Sequence, residues 1–284
     1  MRSLMQPGPC PPERIVSYDG RLVERGYRLE PGLTLNEALT RPLVEAGFIG
    51  ATMRLAGAGL QPFAYVVPHP APDPSHVAYF SPPRTPAGLA RVELANAIFG
   101  WRDREPFVHC HGVWTEPGGA RRGGHMLAHE TIVAEPAEVR AWAMADATFR
   151  VEPDEETNFS LFDPLPHRAP ASGRPARVAR IRPNVDLCSA VETICRGLGR
   201  ARATIRGSLG SLIGAVFEDG RELPDIATEI LVLTGTVRPD RLGDPRARIE
   251  TAVADMTGAV HTGTLARGEN PVCITFELVL EFDN

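Results

Sequence analysis

Apolar and polar positions along the chain fall into two similar series. In the first, Leu35, Leu39 and Leu43 recur at helical spacing with Ala38 beside them, which predicts a helix over 35–46. The run from Leu187 to Leu198 predicts its counterpart. After each helix the pattern turns to short apolar and β-rich runs. The segments GATMRLAG (50–57), FAYVV (63–67), HVAYF (76–80), RVELANAIFGW (91–101), FVHCHGVW (107–114) and AEVRAWAMADATFRV (137–151) read as strands. So do RATIRGSLG (202–210), SLIGAVF (211–217), TEILVLTGTV (228–237), RIETAVADM (248–256) and VCITFELVLEF (272–282). One long helix followed by many strands, without regular βαβ alternation, predicts an α+β fold with a mainly antiparallel sheet.

The two series align residue by residue. At a constant offset of 152, Pro31 meets Pro183, Leu35 meets Leu187, Ala38 meets Ala190, and Ala51-Thr-Met-Arg54 meets Ala203-Thr-Ile-Arg206. Further on the offset is 139: Gly119 meets Gly258, Gly124 meets Gly263, Val133 meets Val272 and Glu138 meets Glu277. The change of offset means about thirteen fewer residues in the middle of the second series. Two tandem domains are expected, 14–165 and 177–284. The Pro/Arg/Ala-rich stretch 164–177 contains the linker, 166–176.

Composition bounds the chemistry. The 284 residues are 43% hydrophobic and 23% charged, enough for two domains of ordinary size. No apolar run approaches the ~18 residues of a membrane helix. The first sixteen residues lack the apolar core of a signal peptide, so a cytoplasmic location is expected, with no membrane partner. Five scattered cysteines argue against a disulfide framework, and Cys188 and Cys195 read as small core residues of the second helix. There is no lysine; all thirty basic residues are arginine. That excludes Schiff-base chemistry and a phosphate loop built on Gly-Lys-Ser/Thr. A net charge of −5 does not favour a general nucleic-acid binder, although a local arginine face is compatible with it.

Candidate chemistry concentrates in HCHGVWTEPGGARRGGH, residues 109–125. On a strand, His109 and His111 point to the same face, about 6.5–7 Å apart. The glycine-rich turn could return His125 beside them. Three neutral imidazoles with a fourth position open suit Zn²⁺. The bland reading is polar residues near a hairpin. His129 is a weaker substitute ligand. Gly123 and Gly124 allow backbone to approach a bound group, or simply permit the turn. At the positions of His109, His111 and His125 the second series has Arg248, Glu250 and Thr264, so the surrounding frame does not need histidine to fold. This favours a specific task in the first domain and leaves the second as a structural or assembly partner.

The stretch FVHCHGVW…GGHMLAHETIVAEPAEV resembles the PPC (plant and prokaryote conserved) domain family. Its pattern is His-x-His on a strand, then Gly-Gly-His-Leu, then Glu on the next strand. It falls here on His109, His111, Gly123, Gly124, His125, Met126 in place of Leu, and Glu138. FRVEPDEETNFSLF (149–162) resembles the family's closing segment, with Asn158 in place of Gly. The resemblance covers nearly all of the first domain and, without the histidines, survives in the second. It implies antiparallel sheets with flanking helices, a homotrimer, and zinc held by the three histidines. It also implies association with DNA, the label the family commonly carries. Gly173-Arg174-Pro175 is the one echo of an AT-hook, and Ser172 stands where that motif has its first arginine.

Three functions follow as expectations. One is a zinc-dependent enzyme or small-molecule-binding protein, with Glu138 as candidate acid/base and Glu130 and Arg54 as weaker candidates for base and anion clamp. Because Glu277 persists where the histidines do not, Glu138 has a structural reading as well. The alternative is a DNA-binding, transcription-associated protein. The third is a metal-stabilised oligomeric scaffold.

Overall fold

The computed structural model describes residues 2–170 and 172–283. The first half contains β1 (Ile15–Arg28), α1 (Leu35–Glu45), β2 (Gly50–Leu55), β3 (Gly59–Leu60), β4 (Tyr65–Val66), β5 (Pro68–His69), β6 (Tyr79–Phe80), β7 (Ala90–Arg102) and β8 (Glu105–Thr115). There follow β9 (Arg121–Met126), β10 (Val133–Glu135), β11 (Glu138–Met144), β12 (Ala147–Pro153) and β13 (Ser160–Pro166). The second half begins with β14 (Arg174–Ile181), α2 (Leu187–Gly197), β15 (Ala203–Ile205), β16 (Leu209–Leu212), β17 (Ala215–Val216) and β18 (Glu222–Leu223). It closes with β19 (Thr228–Pro239), β20 (Pro245–Ala254), β21 (Val260–Thr264) and β22 (Val272–Phe282).

Both helices lie where the apolar spacing predicts them. Thr34 starts α1 with a capping box: its hydroxyl accepts from the Glu37 amide, and the Glu37 carboxylate accepts from the Thr34 amide. Asp186 caps α2 through the Ser189 amide. The α+β expectation holds, and antiparallel pairing dominates; the parallel contact of β12 with β7 is a single register pair, Arg150 with Trp101. The 137–151 run is two strands, because the chain turns at 145–146 between β11 and β12. The predicted linker is shorter than its composition suggests. β13 extends to Pro166 and β14 starts at Arg174, so strand pairing claims both ends of the Pro/Arg stretch. The AT-hook echo lies at that second end, where Glu281 holds Arg174 at 2.6 Å and Pro175 pairs with Arg21 in register. Asn158, which replaces the expected glycine, sits at φ 61, the left-handed region that glycine or asparagine enters at least cost.

The pairing schemes of the halves correspond. In the first, β11 pairs with β1 and β2, β7 with β2, β3 and β8, and β8 with β9. In the second, β22 pairs with β14 and β15, β19 with β15, β16 and β20, and β20 with β21. β1 joins the two: residues 15–22 run along β14 and residues 23–28 along β11.

Each helix covers the outer face of its own sheet, building one core around Leu35, Leu39 and Trp114 and another around Leu187, Val191 and Phe276. The inner faces pack on each other through Ile98, Val113, Trp142 and Met144 against Leu209, Leu231, Ala252 and Val279. Polar groups tie this interface as well. Buried Asn96 donates to the carbonyls of Ser208 and Val232 and accepts from Arg54. At one edge, fully buried Arg180 meets Asp154 and Asp163 across the halves. Strand alternation on β8 then decides the site. Val108, Cys110 and Trp114 point to the helix side, so His109, His111 and Val113 must point to the second half.

Candidate metal centre

The three histidines converge. His111 and His125 face each other in the β8–β9 register, and His109 lies two residues along the same face of β8. One ring nitrogen from each falls within 4.8 Å of the others. His109 Nε2 and His111 Nε2 are 2.9 Å apart. Their other ring nitrogens are engaged by the second half: His109 Nδ1 lies 2.7 Å from Glu277 Oε2 on β22, and His111 Nδ1 lies 3.0 Å from the Ile230 carbonyl on β19. A carbonyl only accepts, so the His111 proton is on Nδ1 and its Nε2 carries a lone pair. The carboxylate at His109 selects the same tautomer. Two lone pairs facing at 2.9 Å repel unless a positive charge lies between them.

Electrostatics express that requirement. Burial opposes the His109 imidazolium, but the charges of Glu277 and Glu229 outweigh it and raise the pKa. Burial, together with the charges of neighbouring His109 and His125, holds His111 well below the ordinary histidine range. Burial, His109 and Arg102 do the same to His125. Glu229 Oε2 lies 3.2 Å from His111 Nε2; burial and the nearby Glu277 push its carboxyl up to about 7, against the pull of His109. A proton on His109 supplies the missing positive charge. A divalent cation supplies it equally and engages His125 too. The donor set therefore fits a metal: three imidazole nitrogens, two held by acceptors behind them, which is the support that metal-ligating histidines normally have.

His109 and His125 form part of the wall of a cavity of about 510 Å³ between the halves, while His111 is buried and does not line it. His109, His125, Glu229 and Glu277 line one side; Tyr79, Phe80, Phe107 and Phe159 line another. Glu130 and His129 also reach it, with His129 stacked on Phe107 rather than joined to the cluster. Arg54 is tied into the sheet interface by Asn96 and the Val232 carbonyl. Glu138 is apart from the histidines. It sits exposed at the start of β11, opposite Arg28 in register, while its counterpart Glu277 is buried opposite Arg180. The reason is packing: the inner sheet face at Glu138 is uncovered, and the matching face at Glu277 is pressed against β8. The carboxylates at the imidazoles come instead from β19 and β22, which sequence offsets could align but not place across an interface.

The glycine pair has a different use from either expectation. A Cβ on Gly123 would meet Val260 and Ala254 at 3.0 and 3.1 Å, and its amide donates to the Gly258 carbonyl, so it admits the second half rather than a ligand. Gly124, at φ 154, passes the β4 backbone where a Cβ would meet the Val66 carbonyl at 2.6 Å.

Residues 168–282 match the family model described as the Plants and Prokaryotes Conserved (PCC) domain. That match falls on the half without the three histidines. Among solved structures, a metal-containing protein of Archaeoglobus fulgidus is 18% identical and has a TM-score of 0.42, over 52% of this chain and 98% of that one. A plant- and prokaryote-conserved protein of Pyrococcus horikoshii is 18% identical, with a TM-score of 0.40 over 53% and 96%. A candidate DNA-binding protein from Ralstonia eutropha is 18% identical, with a TM-score of 0.37 over 52% and 97%. No curated protein matches the chain.

Proposed function

We propose, for a chain whose residues 168–282 carry a Plants and Prokaryotes Conserved domain, that its two halves are copies of one domain and that the inter-half cavity is a zinc-dependent small-molecule site. The duplication is supported by the matched pairing schemes and by register: His111 faces His125 in the first half as Glu250 faces Thr264 in the second. The metal reading is carried by one observation, the 2.9 Å approach of two Nε2 atoms whose Nδ1 partners are both acceptors. His109, His111 and His125 are the ligands. Zinc suits an all-imidazole set with an open fourth position, and when bound it supplies a Lewis acid for an oxygen of the ligand.

The chain's own residues do the rest. Glu277 and the Ile230 carbonyl fix the tautomers and ring planes of His109 and His111. Glu229 presents a carboxylate 3.2 Å from His111 Nε2 and is the acid/base candidate in the place first considered for Glu138. The apolar wall excludes water from the ligand's body. Metal analysis of purified protein tests the reading. About one equivalent of zinc is expected in the wild type and none in His109→Ala; unchanged metal content in the variant overturns it.

A further inference from the structure

This inference rests on the small-molecule reading of the cavity and names the ligand class. The cavity's volume, about 510 Å³, lies within the range of small-molecule sites. Its outer wall is aromatic. Tyr79 and Phe159 stack at 5.6 Å, Phe80 packs beside both, and Phe80 approaches the His125 ring at 5.5 Å. Tyr79 and Phe80 are both more than a third exposed, so the wall presents a contiguous apolar surface at the cavity's opening.

One cation borders this wall. The Arg102 guanidinium lies 3.9 Å from the centroid of the Phe107 ring, which fixes its plane. It makes no hydrogen bond or ion pair among the described residues, and its charge disfavours the protonated forms of His109, His125 and His129. Arg102 is also the last residue of β7, directly before a two-residue turn in which Asp103 and Arg104 both have positive φ, 50 and 69°. A two-residue hairpin loop calls for positive φ at both positions, which Asp103 enters at low cost and Arg104 at more. At the inner end the carboxylates of Glu229 and Glu277 line the cavity beside the histidines, so the guanidinium open to an acid lies at the mouth.

We propose that the cavity binds an organic acid with a flat apolar body: Arg102 takes the carboxylate at the mouth, and the body lies among Phe80, Phe107 and Phe159. A guanidinium fork matches a carboxylate with two parallel hydrogen bonds, which neither an amide nor an amine can reproduce. The far end of the acid then points toward the three histidines.

Calorimetry and ligand-observed NMR with 3-phenylpropionate, its amide and acetate test this. On zinc-loaded wild type, 3-phenylpropionate should bind at least about tenfold more tightly than either the amide or acetate. Arg102→Ala should lose about tenfold or more for the acid, Arg102→Lys should lose less, and neither should change zinc content or weaken the amide as much as the acid. Equal binding of acid and amide, tighter binding of 3-phenylpropylamine, or an Arg102→Ala protein that binds the acid like wild type would overturn the proposal. Metal-stripped protein separates the two readings. A carboxylate anchored on Arg102 keeps its dependence on that residue without zinc. Absence of zinc from the wild type would sink the metal reading alone.

Discussion

The two halves of this chain share a strand order and differ in what their inner faces meet. In the first half, the β8 face carrying His109 and His111 is pressed against β19 and β22, and the acceptors that orient the imidazoles come from there. In the second half, the matching β20 positions are exposed. Arg248 pairs with Glu218 at 2.9 Å, and Glu250 accepts from the Thr234 hydroxyl. The carboxylates show the reverse asymmetry: Glu277 is buried against a histidine, and its counterpart Glu138 faces solvent. The face that carries the histidines and the face that carries the buried carboxylate each have a counterpart in the other half, and only one pairing of them is closed. The second half is therefore more than a blank scaffold, because it provides the outer shell of the first half's site.

The sharpest way to break that comparison is to rebuild the ligands where the shell is missing. The triple substitution Arg248→His, Glu250→His, Thr264→His restores all three imidazoles on an equivalent frame. Without acceptors behind the rings, and with side chains 65% exposed at position 248, a second equivalent of zinc should bind about 10²–10⁴-fold more weakly than the first. Competition against a zinc-binding dye reads both affinities. Two equivalents of similar affinity would show that ligands alone suffice and that the packing of the halves is irrelevant to the metal.

A smaller change tests the same idea from the other side. Glu277→Gln keeps the shape and an acceptor for His109 Nδ1 but removes the charge that raises the basicity of the ring. Zinc affinity should fall about 10–100-fold, although the substitution lies in the half that holds none of the three ligands. Glu138→Gln, at the equivalent exposed position, should leave affinity unchanged. If both variants behave alike, the asymmetry between the two carboxylates has no bearing on the metal.

How much of this was legible beforehand follows from the range of each signal. The helices and most long strands were readable because short-period apolar patterns act within a dozen residues. The His109–His111–His125 cluster was readable for the same reason, since a strand and a tight return place all three. Glu229 and Glu277 were not. They join the site through an interface between sheets, and Glu277 lies 168 positions from His109. The sequence offsets aligned Glu138 with Glu277 correctly, but equal position in a repeat does not give equal surroundings when two copies pack face to face once. Gly123 is a similar case: its sequence context suggested a turn or a ligand, and only the approach of Gly258 reveals its use.

The smallest expected effect concerns the hairpins at the ends of the two long strand pairs. β7 and β8 are joined by Asp103-Arg104 alone, both at positive φ, whereas β19 and β20 are joined by the five residues 240–244 with Gly243 at φ 89. The second hairpin thus assigns the left-handed conformation to a residue without a Cβ, and the first imposes it on an arginine beside the cavity mouth. Arg104→Gly removes that steric cost while leaving the two-residue turn in place. Glycine's greater freedom in the unfolded chain offsets part of the gain, so stability should rise by only about 0.5–1 kcal/mol, measured by denaturant midpoint. If the turn is held to position Arg102, the more stable variant should hold that side chain less firmly and bind 3-phenylpropionate no better than wild type. A gain in both stability and acid binding would mean that the strained turn contributes nothing to the site, and that the first half tolerates it without return.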